Sequence, residues 1–301
     1  MPHKILPSLR SQLFVPGNRA NFIAGADRYA ADGIILDLED SVPESELHAA
    51  RQALTNAVSV LSVRQPVSVR VNKAIEVLIP DLDAAVAARP YSLVVPKVES
   101  AAEVGVIDAL IYERELRHGI TPGSINLQVL VETCMGLANV LEIALSSKRL
   151  VSMTLGVEDL AKELEVEPGQ VGFDLSWAHS RVLMAACAAH VSPLGLLCSL
   201  SNFTDLNAFA NDVRRSKAFG FVGAFCIHPA QVPLLNAGFA PSQTQLSQAR
   251  RVVAALDEAV RHGAASAALD GRMIDVPVAE RARKVIRRAD SYSGEGRHQD
   301  G

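Results

Sequence analysis

Long apolar runs are missing from this chain. No uninterrupted stretch approaches the roughly 18–20 apolar residues that cross a bilayer. The opening MPHKILPSLRSQLFVPGN holds no extended hydrophobic segment of the secretory type. The expectation is a cytoplasmic, non-membrane protein. Cysteine is sparse as well: Cys134, Cys187, Cys198 and Cys226 lie far apart with no CxxC pair, which excludes a disulfide framework and a zinc ribbon. Charge of one sign is not in excess, since 29 Lys and Arg face 33 Asp and Glu for a net charge of −4. That balance argues against a nucleic-acid or anionic-membrane partner, yet leaves room for a local basic site that holds a small anionic substrate. GxSxG and HExxH are absent, no Cys–His nucleophile pair stands out, and Val15-Pro16-Gly17-Asn18-Arg19 lacks the Lys-Ser/Thr end of a Walker loop. Serine-hydrolase, zinc-protease and P-loop readings are therefore poor.

What is present is a globular composition, 49% hydrophobic and 21% charged, in which short apolar runs alternate with longer helical patterns. Strands are expected at Gln12–Val15, Gly33–Leu38, Val67–Val71, Ser92–Val95, Asn126–Val131, Leu150–Leu155, Leu194–Leu200 and Phe225–Ile227. Several are apolar almost throughout, as parallel strands covered on both faces must be. Helical patterns include Ala20–Ala31, Ser45–Leu61, Ala101–Arg117, Met135–Ser146, Leu175–His190 and Leu206–Phe219. Eight strand–helix units make a (β/α)₈ TIM-type barrel the simplest architecture; a doubly wound sheet is the alternative. Ser242–His262 and Val278–Asp290 read as two further helices joined by GAASAALDGRMIDVP, which have no place in eight units. The expected division is a barrel domain over 1–240, a C-terminal helical arm or lid over 241–290, and a polar, disordered tail over 291–301.

A parallel barrel assembles its active site at the C-terminal ends of its strands. Here those ends are rich in charge. The second carries Asp37, Glu39 and Asp40, the third Arg70 and Asn72, the fourth Lys97 and Glu99, the fifth Glu132, and the sixth Gly156-Val157-Glu158-Asp159. Glu132 and Asp159, on neighbouring strands, suit a hard divalent cation that keeps open positions for water and substrate; helix capping is the competing role. Arg70 sits inside a strand expected to be buried. It must face a carboxylate or an anionic ligand there, so it is read as an anchor for a substrate carboxylate or enolate oxygen, or as the structural partner of Asp37 or Glu39. Lys97 is read as a contact to a phosphate or carbonyl, or as an exposed, snorkelling lysine. Arg19, opening the first helix, is a candidate for a phosphate, with a plain turn as the alternative. His228 reads better as a hydrogen-bonded structural residue than as a base. Asp275, taken alone, reads as a helix N-cap with Pro277 in the first turn.

RSQLFVPGN, GIILDLEDSVP, the AAR at Ala49–Arg51, VRVN, VVPKVES, VETCMGL, LGVEDL, CIHPAQV and DGRMIDVP follow one another here in the order seen in the citrate lyase β-subunit-like members of the HpcH/HpaI aldolase family. The chain resembles that family from about Arg10 to Ala289. The resemblance implies a modified TIM barrel, a homo-oligomer (trimer or hexamer), and Mg²⁺, with Mn²⁺ as an alternative. It also implies a CoA ester lyase that splits a 3-hydroxyacyl-CoA of the malyl-CoA or citramalyl-CoA type into a 2-oxo acid and acetyl-CoA or a homologue, coenzyme A being part of the substrate. On the matching positions, Glu132 and Asp159 would ligate the metal and Arg70 would face the carbonyl and enolate oxygen. Glu39 and Asp40 would form a supporting acidic pair, backbone around Gly156, Val157, Glu158 and Asp159 would hold the 2-oxo acid carboxylate, and Asp275 would be the acid/base at the acyl α-carbon. Two departures stand out. Leu47 occupies the place of a lysine common before the AAR arginine, and the stretch from Leu196 to Asp205 lacks the acidic YADFxD wall. Rival activities are a malate-synthase or thioesterase reaction, a CoA-independent metal aldolase acting on 2-oxo acids, and a non-catalytic acyl-CoA-binding protein.

Overall fold

A computed structural model of the chain describes residues 9–168, 174–200 and 204–292. Leu9–Phe239 form one compact unit, and the described residues from Ala240 onward belong to a second. The first unit alternates strand and helix throughout. The strands are β1 Ser11–Pro16, β2 Gly33–Asp37, β3 Val67–Arg70, β4 Ser92–Val95, β5 Asn126–Val131, β6 Leu150–Leu155, β7 Ser192–Leu194 and β8 Ala224–Cys226. The helices between and after them are α1 Ala20–Gly25, α2 Leu47–Leu61, α3 Ile75–Ala87, α4 Ala101–Arg117, α5 Cys134–Ala138, α6 Val140–Leu145, α7 Val157–Glu163, α8 Ser176–Ala188, α9 Leu206–Phe219 and α10 Val232–Phe239. All strand pairs are parallel, in the order β7-β6-β5-β4-β3-β2-β1-β8. Two backbone bonds, Gly195 N–H to Gly223 O at 2.9 Å and Val222 N–H to Pro193 O at 3.1 Å, bring the outer strands together. The result is a (β/α)₈ TIM-type barrel, so the doubly wound alternative falls.

Strand alternation explains how the barrel is filled. Side chains two apart along a strand share a face. A polar layer comprises Gln12, Ser68, Ser92, Gln128 and Ser152, one from each of five strands, and is joined by Gln128 hydrogen bonds to the other four. These buried amides and hydroxyls satisfy one another, which removes most of the penalty of burying them. Two residues further along lie Phe14, Val94 and Leu130, which join Ile35, Leu194 and Phe225 in an apolar layer. Two residues further again come Pro16, Asp37, Glu132 and Gly156, at the mouth. The outward residues of the same strands, such as Ile34, Leu36, Leu93, Leu127 and Met153, pack with the helices into the main core.

The seventh strand departs from expectation. Leu194–Leu200 was expected to be a strand, but β7 ends at Leu194. The ladder to β6 stops there, because Gly195 turns its N–H toward Gly223 instead. Residues 201–203 lie outside the described residues. In the second unit, α11 (Gln243–Arg261) and α12 (Val276–Tyr292) form the two expected helices, and Ser242 caps the first through a reciprocal bond pair with Gln245. The stretch between them holds a hairpin, β9 Ala267–Leu269 and β10 Arg272–Ile274. Asp270 and Gly271 form its turn with φ of 50° and 73°, the left-handed pair that a tight hairpin requires. Of the tail expected over 291–301, Ser291 and Tyr292 belong to α12 and the rest lies outside the described residues. No helix among the described residues is long and apolar enough to cross a membrane.

His179, on α8, is 3% exposed and packs edge-on against Phe219 and Phe221. Burial pushes its pKa down to about 4, with Asp174 opposing weakly. Between about 4 and 6.5 the unfolded chain therefore binds the proton that the folded chain refuses. The stability is complete above 6.5 and falls as the pH drops toward 4, by about 3 kcal/mol. His179→Leu is expected to flatten the urea-unfolding stability across this window by about that amount relative to wild type. An unchanged slope would mean that His179 charges freely in the folded protein.

Candidate active site

The site grows out of the end of β2 and β3. Their register sets Asp37 beside Arg70. Asp37 accepts from Arg70 Nε at 2.6 Å and from Nη2 at 2.7 Å, a two-pronged pair. Arg70 Nη1 reaches Asp40 Oδ2 at 3.0 Å and contacts Glu39 Oε2 at 2.9 Å. The guanidinium also lies 4.6 Å from the centre of the Phe14 ring. The two readings of Arg70 are thus compatible: it is tied to carboxylates and it lines the cavity. Burial opposes its charge, but Asp37, Glu39 and Asp40 together hold it firmly protonated. Burial likewise works against an ionised Asp37, yet the Arg70 bonds, with help from Ser41, keep it below the usual carboxylate range. Asp37 also accepts from Glu39 N and Ser41 N, each at 3.0 Å, so the same carboxylate shapes the following loop.

That loop delivers Glu39 to Lys97, whose Nζ donates to Glu39 Oε1 at 2.6 Å. Lys97 is therefore paired rather than a free, snorkelling lysine. Burial lowers its pKa and Glu39 raises it, with the pairing prevailing. Its backbone takes φ of 53°, a left-handed conformation unusual for a lysine. Its N–H donates to Glu132 Oε2 at 2.9 Å. Glu132 is 5% exposed. Burial first, then the charges of Asp159 and Glu39, push its pKa up to about 7. The seat is tight: a Cβ added to Gly156 would lie 2.3 Å from Glu132 Oε1.

These groups open on one cavity of about 390 Å³, lined by Asp37, Asp40, Arg70, Glu132, Gly156, Val157, Glu158 and Asp159 among others. Of the expected rim residues, the cavity brings together those named from strands two, three, five and six, while Glu39, Asn72, Lys97 and Glu99 are not in its lining. Glu132 and Asp159 offer hard oxygen donors in a surplus of negative charge that a divalent cation would relieve. Among the described residues no cluster of three or more His, Cys, Asp or Glu is placed to cage a metal. A cation here would complete its shell with water and substrate oxygens, as Mg²⁺ commonly does. The residues present fit such an ion.

Two further expected residues of the first unit do not line this cavity. Arg19 is exposed ahead of α1, and neither it nor Lys97 is among the lining residues. His228 is structural: its Nδ1 accepts from Ala230 N at 3.2 Å, and Gln231 caps back to it. Asp275, in the second unit, opens α12 by accepting from Val278 N at 3.1 Å.

The model of the HpcH/HpaI aldolase/citrate lyase family matches residues 10–229. The chain belongs to this family. It is accordingly an enzyme of the carbon–carbon lyase class. Citrate lyase subunit beta of Haemophilus influenzae is 36% identical over 284 residues, which is 94% of this chain and 97% of that protein. An L-malyl-CoA/beta-methylmalyl-CoA lyase of Cereibacter sphaeroides is 33% identical over 306 residues, 94% of this chain and 95% of that one. CitE from Mycobacterium tuberculosis, crystallised with magnesium, acetoacetate and coenzyme A, superposes with a TM-score of 0.74 at 31% identity, covering 94% of this chain and 99% of that one.

Within this family member, sequence reasoning overlooked Asp81. It is fully buried on α3 and accepts from Arg51 Nε at 2.7 Å, and from Asn72 N and Nδ2 at 2.8 Å each. Asn72 Nδ2 also donates to Leu38 O at 2.7 Å. Arg51 and Asn72, both in the family's motifs, thus clamp one carboxylate behind the Asp37–Arg70 pair. The signal was available: Asp81 falls between Leu78, Leu82 and Ala85 on the apolar face of a helix pattern, where an acid needs a cation. Asp81→Asn is expected to lower the unfolding free energy by about 3 kcal/mol, measured by chemical denaturation. A midpoint equal to wild type would show that the clamp does not support the rim.

Proposed function

We propose that this protein is a Mg²⁺-dependent CoA ester lyase. It reversibly splits a 3-hydroxyacyl-CoA of the malyl-CoA or citramalyl-CoA type into a 2-oxo acid and acetyl-CoA or a homologue. The observation that carries the reading is the convergence of Arg70, Glu132 and Asp159 on one cavity at the mouth of the barrel. The magnesium and coenzyme A of the 31%-identical CitE structure support it. Glu132 and Asp159 are assigned to the metal, which when bound supplies Lewis-acid polarisation of the substrate oxygens.

The remaining chemistry belongs to the chain. The bond between the hydroxyl-bearing carbon and the thioester α-carbon breaks, the hydroxyl proton passes to a water molecule as the 2-oxo acid carbonyl forms, and the bonding electrons pass to the thioester as an enolate. Arg70, locked in charge and place by Asp37, Glu39 and Asp40, stabilises the enolate oxygen. Gly156, Val157 and Glu158 are assigned the 2-oxo acid carboxylate. Asp275 is assigned the proton delivered to the α-carbon, and removed from it in the condensing direction. Arg19 and Lys97 are the candidates for the CoA phosphates; the pairing of Lys97 with Glu39 places Arg19 first.

A homo-oligomer, trimer or hexamer, is part of the proposal. Leu141, Leu145, Trp177 and Met184 are exposed on the packed helices α6 and α8, and exposed apolar side chains are what oligomers bury. A cytoplasmic setting is proposed as well.

The assay is chromatographic cleavage of malyl- and citramalyl-CoA with Mg²⁺ or with EDTA. Cleavage that needs Mg²⁺ and yields the matching 2-oxo acid is expected; none with either ester would overturn the reading. Mg²⁺ requires ionised Glu132, so calorimetry should show affinity falling by up to about tenfold per pH unit below about 7, and Glu132→Gln should remove the binding. Asp275→Asn keeps an N-cap side chain, so the fold and metal affinity should persist while turnover falls by about a hundredfold or more. Turnover like that of wild type would remove Asp275 from the mechanism.

A further inference from the structure

The cavity wall is divided by charge. Its carboxylates and its one guanidinium come from the β2, β3, β5 and β6 side. The opposite arc, β7, β8 and β1, is apolar: Phe14, Leu196, Leu200, Phe225 and Ile227 line it, with Cys198 as the weakly polar member. Burial pushes the Cys198 thiol up to about 12, so it stays neutral. Among the described lining residues Arg70 is the only cation, and Asp37, Glu39 and Asp40 already surround it. Asp37, Asp40, Glu132, Glu158 and Asp159 leave the lining with an acidic surplus. One substrate carboxylate can be matched to a cation held by Glu132 and Asp159. A second carboxylate directed at the β7–β8–β1 arc would meet apolar side chains with no counter-charge among the described lining residues, an unfavourable burial.

We propose that the site selects 3-hydroxyacyl-CoA esters whose hydroxyl-bearing carbon carries one carboxylate and an uncharged, alkyl third substituent, which packs on the β7–β8–β1 arc. The inference rests on the lyase reading above and specifies its substrate class. It sets this chain apart from a catalyst whose 2-oxo acid product is a dicarboxylate. Leu196, Leu200, Phe225 and Ile227 are the specificity-determining residues. Alkyl groups gain from the contact by burying apolar surface; hydrogen leaves that surface bare, and carboxymethyl loses hydration without gaining a partner.

The test uses the full chain with Mg²⁺ and three CoA thioesters that differ only in the third substituent on the hydroxyl-bearing carbon: hydrogen, methyl or carboxymethyl. The expected order of kcat/KM places methyl above hydrogen by about fourfold, and carboxymethyl below methyl by about a hundredfold. Cleavage of the carboxymethyl ester as fast as the methyl ester overturns the substituent inference and leaves the lyase reading intact. A hydrogen ester cleaved faster than the methyl ester does the same. Cleavage of none of the three overturns both. Ile227 is 46% exposed, so Ile227→Arg adds a cation at the rim with little demand on the core. It is expected to raise kcat/KM for the carboxymethyl ester relative to the methyl ester by about tenfold. An unchanged ratio would overturn the assignment of this arc.

Discussion

The rim of this barrel depends on one buried ion pair. Asp37 and Arg70 are register partners on adjacent strands, so a slip of either strand by one residue would turn one of them out of the mouth. From that pair the order spreads outward. Asp37 fixes the loop that carries Glu39, Glu39 holds Lys97, and the Lys97 backbone holds Glu132. Each step uses a group that the previous step has already positioned. A carboxylate at the far end thus inherits its place from a guanidinium two strands away.

Placing like charges close together raises the energy of the site. Glu132 bears most of it, being buried and facing Asp159 and Glu39. The same crowding makes the site receptive to a cation and to the partial charges of a reacting substrate. The polar layer beneath Phe14 and Leu130 is of the opposite kind. Its amides and hydroxyls are mutually satisfied and carry no net charge. Reactivity is therefore confined to the mouth, above an apolar layer.

Most of the fold was legible because parallel strands are covered on both faces and so announce themselves as apolar runs. The same property failed at Leu194–Leu200. That run has no alternation to mark where pairing stops, and the stop is set by a long-range bond from Gly195. The hairpin between α11 and α12 carried its signal in Asp270-Gly271, but apolar alternation around it is only three residues long on each side. In the site, Asp37, Asp40, Arg70, Glu132, Glu158 and Asp159, all near strand ends, line the cavity at the mouth. What stayed hidden was the identity of distant partners: an acid at Asp81 on an apolar helix face signalled a need for a cation, but its links to Arg51 and Asn72 reach other elements. The left-handed turn at Lys97 was hidden too, since a lysine gives no local reason to expect it. Asp275 shows the converse limit, because its geometry declares only a helix cap, and the chemical role proposed for it rests on resemblance.

The two halves of the mouth also differ in mechanical terms. The charged arc stands on strand ladders that pair every neighbour from β2 to β6, whereas among the described residues β7 and β8 meet through two backbone bonds. Local opening is easiest where the fewest interactions must break together. The compliant wall is thus the apolar one, and the stiff wall is the one that carries the carboxylates and Arg70. Substitutions along the seam can reshape what the mouth admits while the catalytic geometry keeps its tolerance. In an enzyme built this way, substrate range and chemical step are free to drift independently.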